Sequence, residues 1–191
     1  MENDNKNSFL RYLSFPDKEL EELVAISKYN KIAKSNCFIC EGQVPRKMAF
    51  VTKGLFRYVY THENGNEFTK NIIAEGNFIS SYSAMIFNMP SYFSIEALED
   101  AEILEIDYKD WIDLKERNPF WNAFLVQILE KAFSIKEKRE RELLLLDAEK
   151  RYEIFIDDFP TIEKRVSQQI IASYLGIQPE SFSRLKRKSR S

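Results

Sequence analysis

The sequence predicts an α+β chain: an N-terminal β-roll of jelly-roll type, a long helix suited to dimerisation, and a C-terminal all-α helix-turn-helix domain. Three observations predict it. Residues 32–108 break into short β-type runs with turn signals between them. After Asn118-Pro119 the chain runs without glycine or proline to about Leu146. The last 31 residues combine a two-helix pattern with an excess of positive charge.

Composition permits a packed core: 191 residues are 44% hydrophobic and 14% aromatic. No apolar run approaches the roughly 20 residues a bilayer span needs. Met1–Asn7 lacks the basic and apolar regions of a secretion signal, so a cytoplasmic protein without a membrane partner is expected. Net charge is −2, yet residues 161–191 hold seven Lys/Arg against two Glu, leaving 21 bases and 28 acids in residues 1–160. A basic end on an acidic body points to an anionic partner for that end.

The elements follow in order. A lead helix is expected over Lys18–Tyr29, with Leu20, Leu23, Val24 and Ile26 as its apolar side. Cys37 and Cys40 form one C-x-x-C in an apolar stretch with no second pair, and structural thiols are the preferred reading over a redox or metal role. The strand candidates are Met48–Val51, Leu55–Tyr60, Glu67–Ile73, Phe93–Leu98 and Ile103–Ile106. In Leu55–Tyr60, Phe56, Tyr58 and Tyr60 alternate with Arg57 and Val59, and Asn64-Gly65 supplies a tight hairpin turn before the next run. Many short strands at close spacing indicate a roll or barrel.

Asn118-Pro119 is a good cap and first-turn pair for the long helix. Trp121, Leu125, Ile128, Ala132 and Ile135 recur at spacings of four, three, four and three, flanked by Phe120, Phe124, Leu129 and Phe133. Two stripes can bury against two surfaces. The first is assigned to a second copy of the chain and the second to the roll, the alternative being a helix wholly buried in a monomer. Asp147 caps a following helix that Pro160 closes, placing a hinge near Leu146–Asp147.

The strongest signal lies in residues 168–187. Ser167 caps a first helix whose inner face is Ile171, Ala172 and Leu175, and Gly176 supplies the left-handed residue that ends it. Ile177 plugs the turn, Pro179 opens the second helix, and Phe182 and Leu185 turn back onto the first. Glu180, Ser181, Arg184 and Arg187 then face outward. In a DNA major groove Arg bonds guanine and Glu accepts from cytosine, so Glu180 and Arg184 are the expected base readers. Gln168, Ser181, Ser183, Lys186, Arg187 and Lys188 are expected on the DNA backbone. The alternative is a helical hairpin with a solvated basic face.

Ile171-Ala-Ser-Tyr-Leu-Gly-Ile-Gln-Pro-Glu-Ser-Phe-Ser-Arg184 resembles the helix-turn-helix of Crp/Fnr-type regulators, with Ala-x-x-Leu-Gly followed by Glu-(Ser/Thr)-x-(Ser/Gly)-Arg. Phe50–Tyr60 and Glu75-Gly-Asn-Phe78 resemble that family's cyclic-nucleotide-binding-type roll. The resemblance implies a sensor domain over 1–117, a dimerisation helix over 118–146 and a DNA-binding domain over 147–191. It also implies a homodimer on near-palindromic double-stranded DNA, with RNA polymerase as a further partner. Pro179 departs from the pattern, where many members have a DNA-reaching Arg or Ser.

The resemblance also marks two places that grip ribose and phosphate in cyclic-nucleotide binders, a Gly-Glu pair and an Arg. Here they read Ile79-Ser80-Ser81 and Pro90-Ser91-Tyr92, and no Lys, Arg or His lies between Lys70 and Lys109. A buried phosphate needs charge-assisted bonds, so cyclic AMP is not the expected effector. Ser80, Ser81, Tyr82, Ser83 and Tyr92 either line an unknown small-molecule site or are ordinary loop residues. No cofactor or metal is expected, since two Cys and one His fall short of an iron–sulfur set. A cupin-type enzyme would need several His, and no phosphate loop or G-x-S-x-G is present, so no catalytic residue is assigned. A ligand-sensing adaptor that does not bind specific DNA is the remaining alternative.

Overall fold

The computed structural model describes residues 12–188. They fall into two compact units. One holds the residues up to Thr61 and Lys70–Phe124; the other holds His62–Thr69 and the residues from Leu125 onward.

The first unit begins with helix α1, Asp17–Ala25, which buries Leu20, Leu23 and Val24. It is shorter than the expected Lys18–Tyr29. Ser27 Oγ donates to Leu23 O at 2.6 Å just past its end, and Ser27–Ile32 is strand β1. β1 is polar and exposed over most of its length, so its sequence carries no strand period. What makes it a strand is pairing along β8 (Ala101–Asp107), from Ser27↔Ile106 to Ile32↔Ala101.

The other strands are β2 (Cys37–Ile39), β3 (Lys47–Lys53), β4 (Phe56–Thr61), β5 (Glu67–Ile73), β6 (Phe78–Ile79) and β7 (Ser94–Ala97). They form two four-stranded sheets, ordered β1-β8-β3-β6 and β2-β7-β4-β5. Phe38, Ile39, Val51, Phe56, Phe93, Ile95 and Ile103 fill the core cluster. β3 is buried on successive residues because both its faces are covered: Ala49 and Val51 join the core cluster, while Phe50 meets Tyr12 and Phe78. The strand candidates read from sequence all fall on strands; β1, β2 and β6 are additional. Helices α2 (Tyr82–Ile86) and α3 (Tyr108–Arg117) complete this region.

Helix α4 spans Phe120–Leu145 and is 26 residues long. Its stripes differ from the expectation. Trp121, assigned to a partner copy, is fully buried, and its ring meets Phe15, Trp111, Phe120 and Phe124. Its Nε1 donates to Glu22 at 2.9 Å. An indole needs one large apolar cavity with one acceptor, and the chain's own residues supply both. Leu125 and Ile128 are half-buried, and Ala132 and Ile135 are exposed. Leu129 and Phe133, from the other stripe, are exposed too, Phe133 by 65%. Each stripe therefore changes from covered to open along the helix. Among the described residues no helix is long and apolar enough to cross a membrane.

The second unit continues with α5 (Ala148–Asp158), a 3-10 turn (Ile162–Lys164), α6 (Gln168–Leu175) and α7 (Pro179–Lys188). Asp147 accepts from Lys150 N at 2.9 Å as the cap of α5, and Pro160 follows its end.

Candidate nucleic-acid interface and effector region

The C-terminal helix pair is built from its turn outward. Ser167 Oγ accepts from Ile170 N at 3.3 Å, starting α6. Gly176 ends it at φ 67°, and Ile177 N then donates to Ala172 O at 3.0 Å. A side chain at 176 would be strained at that φ, and its Cβ would lie 3.2 Å from Leu143. Pro179 opens α7 where a missing N–H leaves no helix bond unmade.

Phe182 sets the rotation of α7. It is fully buried, with its ring 5.3 Å from Tyr152, while Ile171, Ala172 and Leu175 bury the facing side of α6. At 100° per residue, Glu180, Arg184 and Arg187 lie within about 40° of the direction opposite Phe182. All three are exposed, as is Ser181. Gln168 is exposed at the start of α6, and Ser183 Oγ donates to Pro179 O at 3.1 Å. Two expected backbone contacts are occupied within the chain. Lys186 Nζ pairs with Glu163 at 2.6 Å, and Lys188 Nζ with Glu149 at 2.8 Å.

A knot of polar groups that the sequence did not disclose holds α6 in place. The Arg139 guanidinium lies 3.7 Å from the centre of the Tyr174 ring, and burial pushes the Tyr174 phenol up to about 12. Lys138 reaches Asp158 at 2.7 Å and Glu142 at 3.8 Å, with Glu142 itself buried. Ser173 Oγ donates to Glu67 O at 3.0 Å and accepts from Thr69 N at 2.8 Å. These residues are distant in sequence, and only the fold brings them together.

In the first unit the five serine and tyrosine candidates separate. Ser80 N donates to Tyr58 OH at 3.2 Å and Ser80 Oγ donates to Lys47 O at 3.3 Å. Ser81 is buried, and its hydroxyl lies 2.9 Å from that of Ser91, also buried. Tyr82 is half-buried, which raises its phenol, whereas Ser83 is exposed and Tyr92 is 69% exposed. Ser80 and Ser81 are thus drawn inward while Ser83 and Tyr92 remain outside.

Sequence reasoning missed the aromatic group beside them. Tyr58 stacks on Phe93 at 5.0 Å and 23°, and Tyr60 meets Phe93 edge-on at 5.8 Å. Lys70 Nζ sits 4.4 Å from the Phe93 ring centre and 5.7 Å from that of Tyr60. The alternation of Phe56, Tyr58 and Tyr60 was the signal for it. Burial pushes the Tyr58 phenol up to about 12. Arg57, on the opposite side of β4, pairs with Glu96 at 2.6 Å. An open cleft of about 340 Å³ is lined by Gln43, Val44, Arg46, Lys47 and Asp107 among others, and its cations are engaged: Arg46 with Asn88, Lys47 with Glu105.

Residues 30–118 match the cyclic nucleotide-binding domain family. Over those residues the roll is similar to a cyclic nucleotide-binding domain. No curated protein sequence matches the chain significantly. Among solved structures it is similar to the c-di-GMP responsive global regulator CLP of Xanthomonas campestris, with TM-score 0.76 and 18% identity over 92% of each chain. It is also similar to FixK2 of Bradyrhizobium japonicum, with TM-score 0.75 and 15% identity over 85% of this chain and 84% of that one. A CooA mutant from Carboxydothermus hydrogenoformans gives TM-score 0.72 and 18% identity, covering 95% and 82%. At these identities the likeness is one of fold. Ser81 and Ser91, from segments 79–81 and 90–92 of the roll, bond to each other through their hydroxyls.

Proposed function

We propose that the chain is a sequence-specific DNA-binding transcription regulator that acts as a homodimer on a near-palindromic operator. The observation that carries it is the outward face of α7. Glu180, Arg184 and Arg187 lie opposite a fully buried Phe182, on a helix fixed by the Gly176 turn. A helix held this way presents side chains to a major groove while its partner helix crosses the backbone. The fold shared with CLP and FixK2 supports the reading.

In it, α6 and α7 form a helix-turn-helix within a DNA-binding domain over 147–191. Glu180 and Arg184 read bases; Gln168, Ser181, Ser183 and Arg187 touch phosphate or sugar. Lys186 and Lys188 join them by exchanging Glu163 and Glu149 for phosphates. The open part of α4, with Val126, Leu129, Ala132, Phe133 and Ile135, meets its copy. Two recognition helices then stand about 34 Å apart, one DNA turn. RNA polymerase is a further partner, and the protein works in the cytoplasm.

The effector, where one is used, is not cyclic AMP. The loop places that would grip ribose and phosphate hold Ser81 and Ser91, already bonded to one another, and residues 71–108 contain no base. Selection of duplexes from a random pool at about 150 mM salt tests the function. Enrichment of a palindrome with half-sites one turn apart is expected. Absence of any enriched sequence points to the adaptor reading instead.

A further inference from the structure

The DNA-binding reading leaves the Cys37-x-x-Cys40 motif unused. Cys37 is the first residue of β2 and Cys40 follows its last; both are free and exposed, where the sequence reading preferred structural thiols. Between Cys37 and Ile39 the β2–β7 ladder slips, with Cys37 opposite Glu96 and Ile39 opposite Ile95. A bulge re-aims side chains. Here Phe38 and Ile39 are buried between exposed Cys37 and Cys40, which puts the two cysteines on one outward side of the chain.

The second thiol opens a turn that leads inward. Cys40 N donates to Gln43 Oε1 at 2.8 Å, and Gln43 N donates to Cys40 O at 3.1 Å. Gly42 N donates to Ser91 O at 2.8 Å, and Ser91 N donates to Gln43 O at 2.7 Å. Ser91 in turn reaches Ser81. Around Gly42 there is open space, so the turn has room to shift.

We propose that Cys37 and Cys40 are a reversible dithiol–disulfide couple whose closure resets the 40–43 turn and, through it, Ser91. The oxidant is a small-molecule disulfide. The Cys40 thiolate attacks one of its sulfurs, giving a mixed disulfide and one released thiolate. Cys37 loses its proton and attacks the Cys40 sulfur, forming the Cys37–Cys40 bond and expelling the second thiolate. Both leaving groups take up the protons lost by the two cysteines. The protein dithiol is oxidised by two electrons, and the small disulfide is reduced to two thiols. Partial burial of its sulfur and the neighbouring Cys40 push the Cys37 thiol up to about 11, so it stays protonated at neutral pH and acts second. Closure to an S–S bond of about 2.05 Å draws on the exposed turn rather than on the paired strand.

The test equilibrates the full chain with glutathione buffers from strongly reducing to oxidising ratios. Intact mass and amide hydrogen exchange are then read. The expected product is an unlinked chain lighter by two hydrogens, restored by reductant, with exchange at the Gly42 and Ser91 amides faster by roughly tenfold. Cys37→Ser should stop at a mixed disulfide on Cys40, and Cys40→Ser should form one far more slowly. Persistence of both thiols under oxidising conditions overturns the proposal. So does a stable mixed disulfide on the unsubstituted chain, a bond only between chains, or a disulfide that leaves Gly42 and Ser91 exchange unchanged.

Discussion

The roll and the C-terminal helix pair treat their polar side chains in opposite ways. In the roll they are turned in and matched: Ser81 with Ser91, Tyr58 with Ser80, Arg57 with Glu96. On α7 the apolar Phe182 is turned in, and Glu180, Arg184 and Arg187 lie on the exposed side. Buried polar groups must be paired within the fold, so the roll's chemistry is spent largely on itself. On a helix anchored by one aromatic ring, Glu180 and Arg184 stay on the exposed side, within reach of an outside partner. The difference shows where recognition can reside without rearrangement and where a ligand would first have to displace internal bonds.

The contrast breaks most severely at the anchor. Phe182→Ala should destabilise the C-terminal unit by about 3–5 kcal/mol, because it leaves a ring-sized cavity against Tyr152. Denaturant unfolding followed by circular dichroism checks this, and DNA binding should vanish with the fold. By contrast, Phe133→Ala removes a ring that is 65% exposed. It should leave the folded chain within about 0.5 kcal/mol while weakening self-association in sedimentation experiments.

Arg184→Ala sharpens the comparison without touching the core. It should cost about 1–3 kcal/mol of binding and leave thermal unfolding unchanged. Gly176→Ala lies close behind, at about 1–2 kcal/mol of stability, from the left-handed φ and the approach to Leu143. The smallest effect is expected at Lys188→Ala, within about 1 kcal/mol, since its pair with Glu149 is solvent-exposed.

Alkali should reach both units. Tyr58 and Tyr174 each titrate at about 12 in the fold, and an unfolded phenol titrates near 10. Both are acids held neutral by burial, so their contribution is complete below about pH 10 and is lost as pH rises towards 12. Replacing Tyr174 by Phe should flatten the alkaline fall in stability, measured by denaturant midpoints across that window.

Local chemistry made some of this legible in the sequence. The Gly176 turn, the Ser167 and Asp147 caps and the alternation in β4 each follow from residues within a few positions of one another. β1 was not legible, because Ser-Lys-Tyr-Asn-Lys-Ile becomes a strand only by lying along β8. Trp121 was misassigned for a related reason. Helical spacing shows that a residue shares a stripe, but not whether Trp111 and Phe15 or another copy will cover it. The Lys186–Glu163 pair, the Arg139–Tyr174 contact and the Ser81–Ser91 bond join distant segments and have no sequence signature.

The central claim rests on α7 reading bases. Its most direct test measures wild-type and Arg184→Ala affinities for a selected operator and for each of its single-base variants at fixed salt. The account predicts that the variant loses discrimination at one symmetry-related pair of positions and keeps the rest of the profile. A uniform loss on every duplex would make Arg184 a phosphate contact, and an unchanged profile would contradict the assignment of α7 as the reading helix.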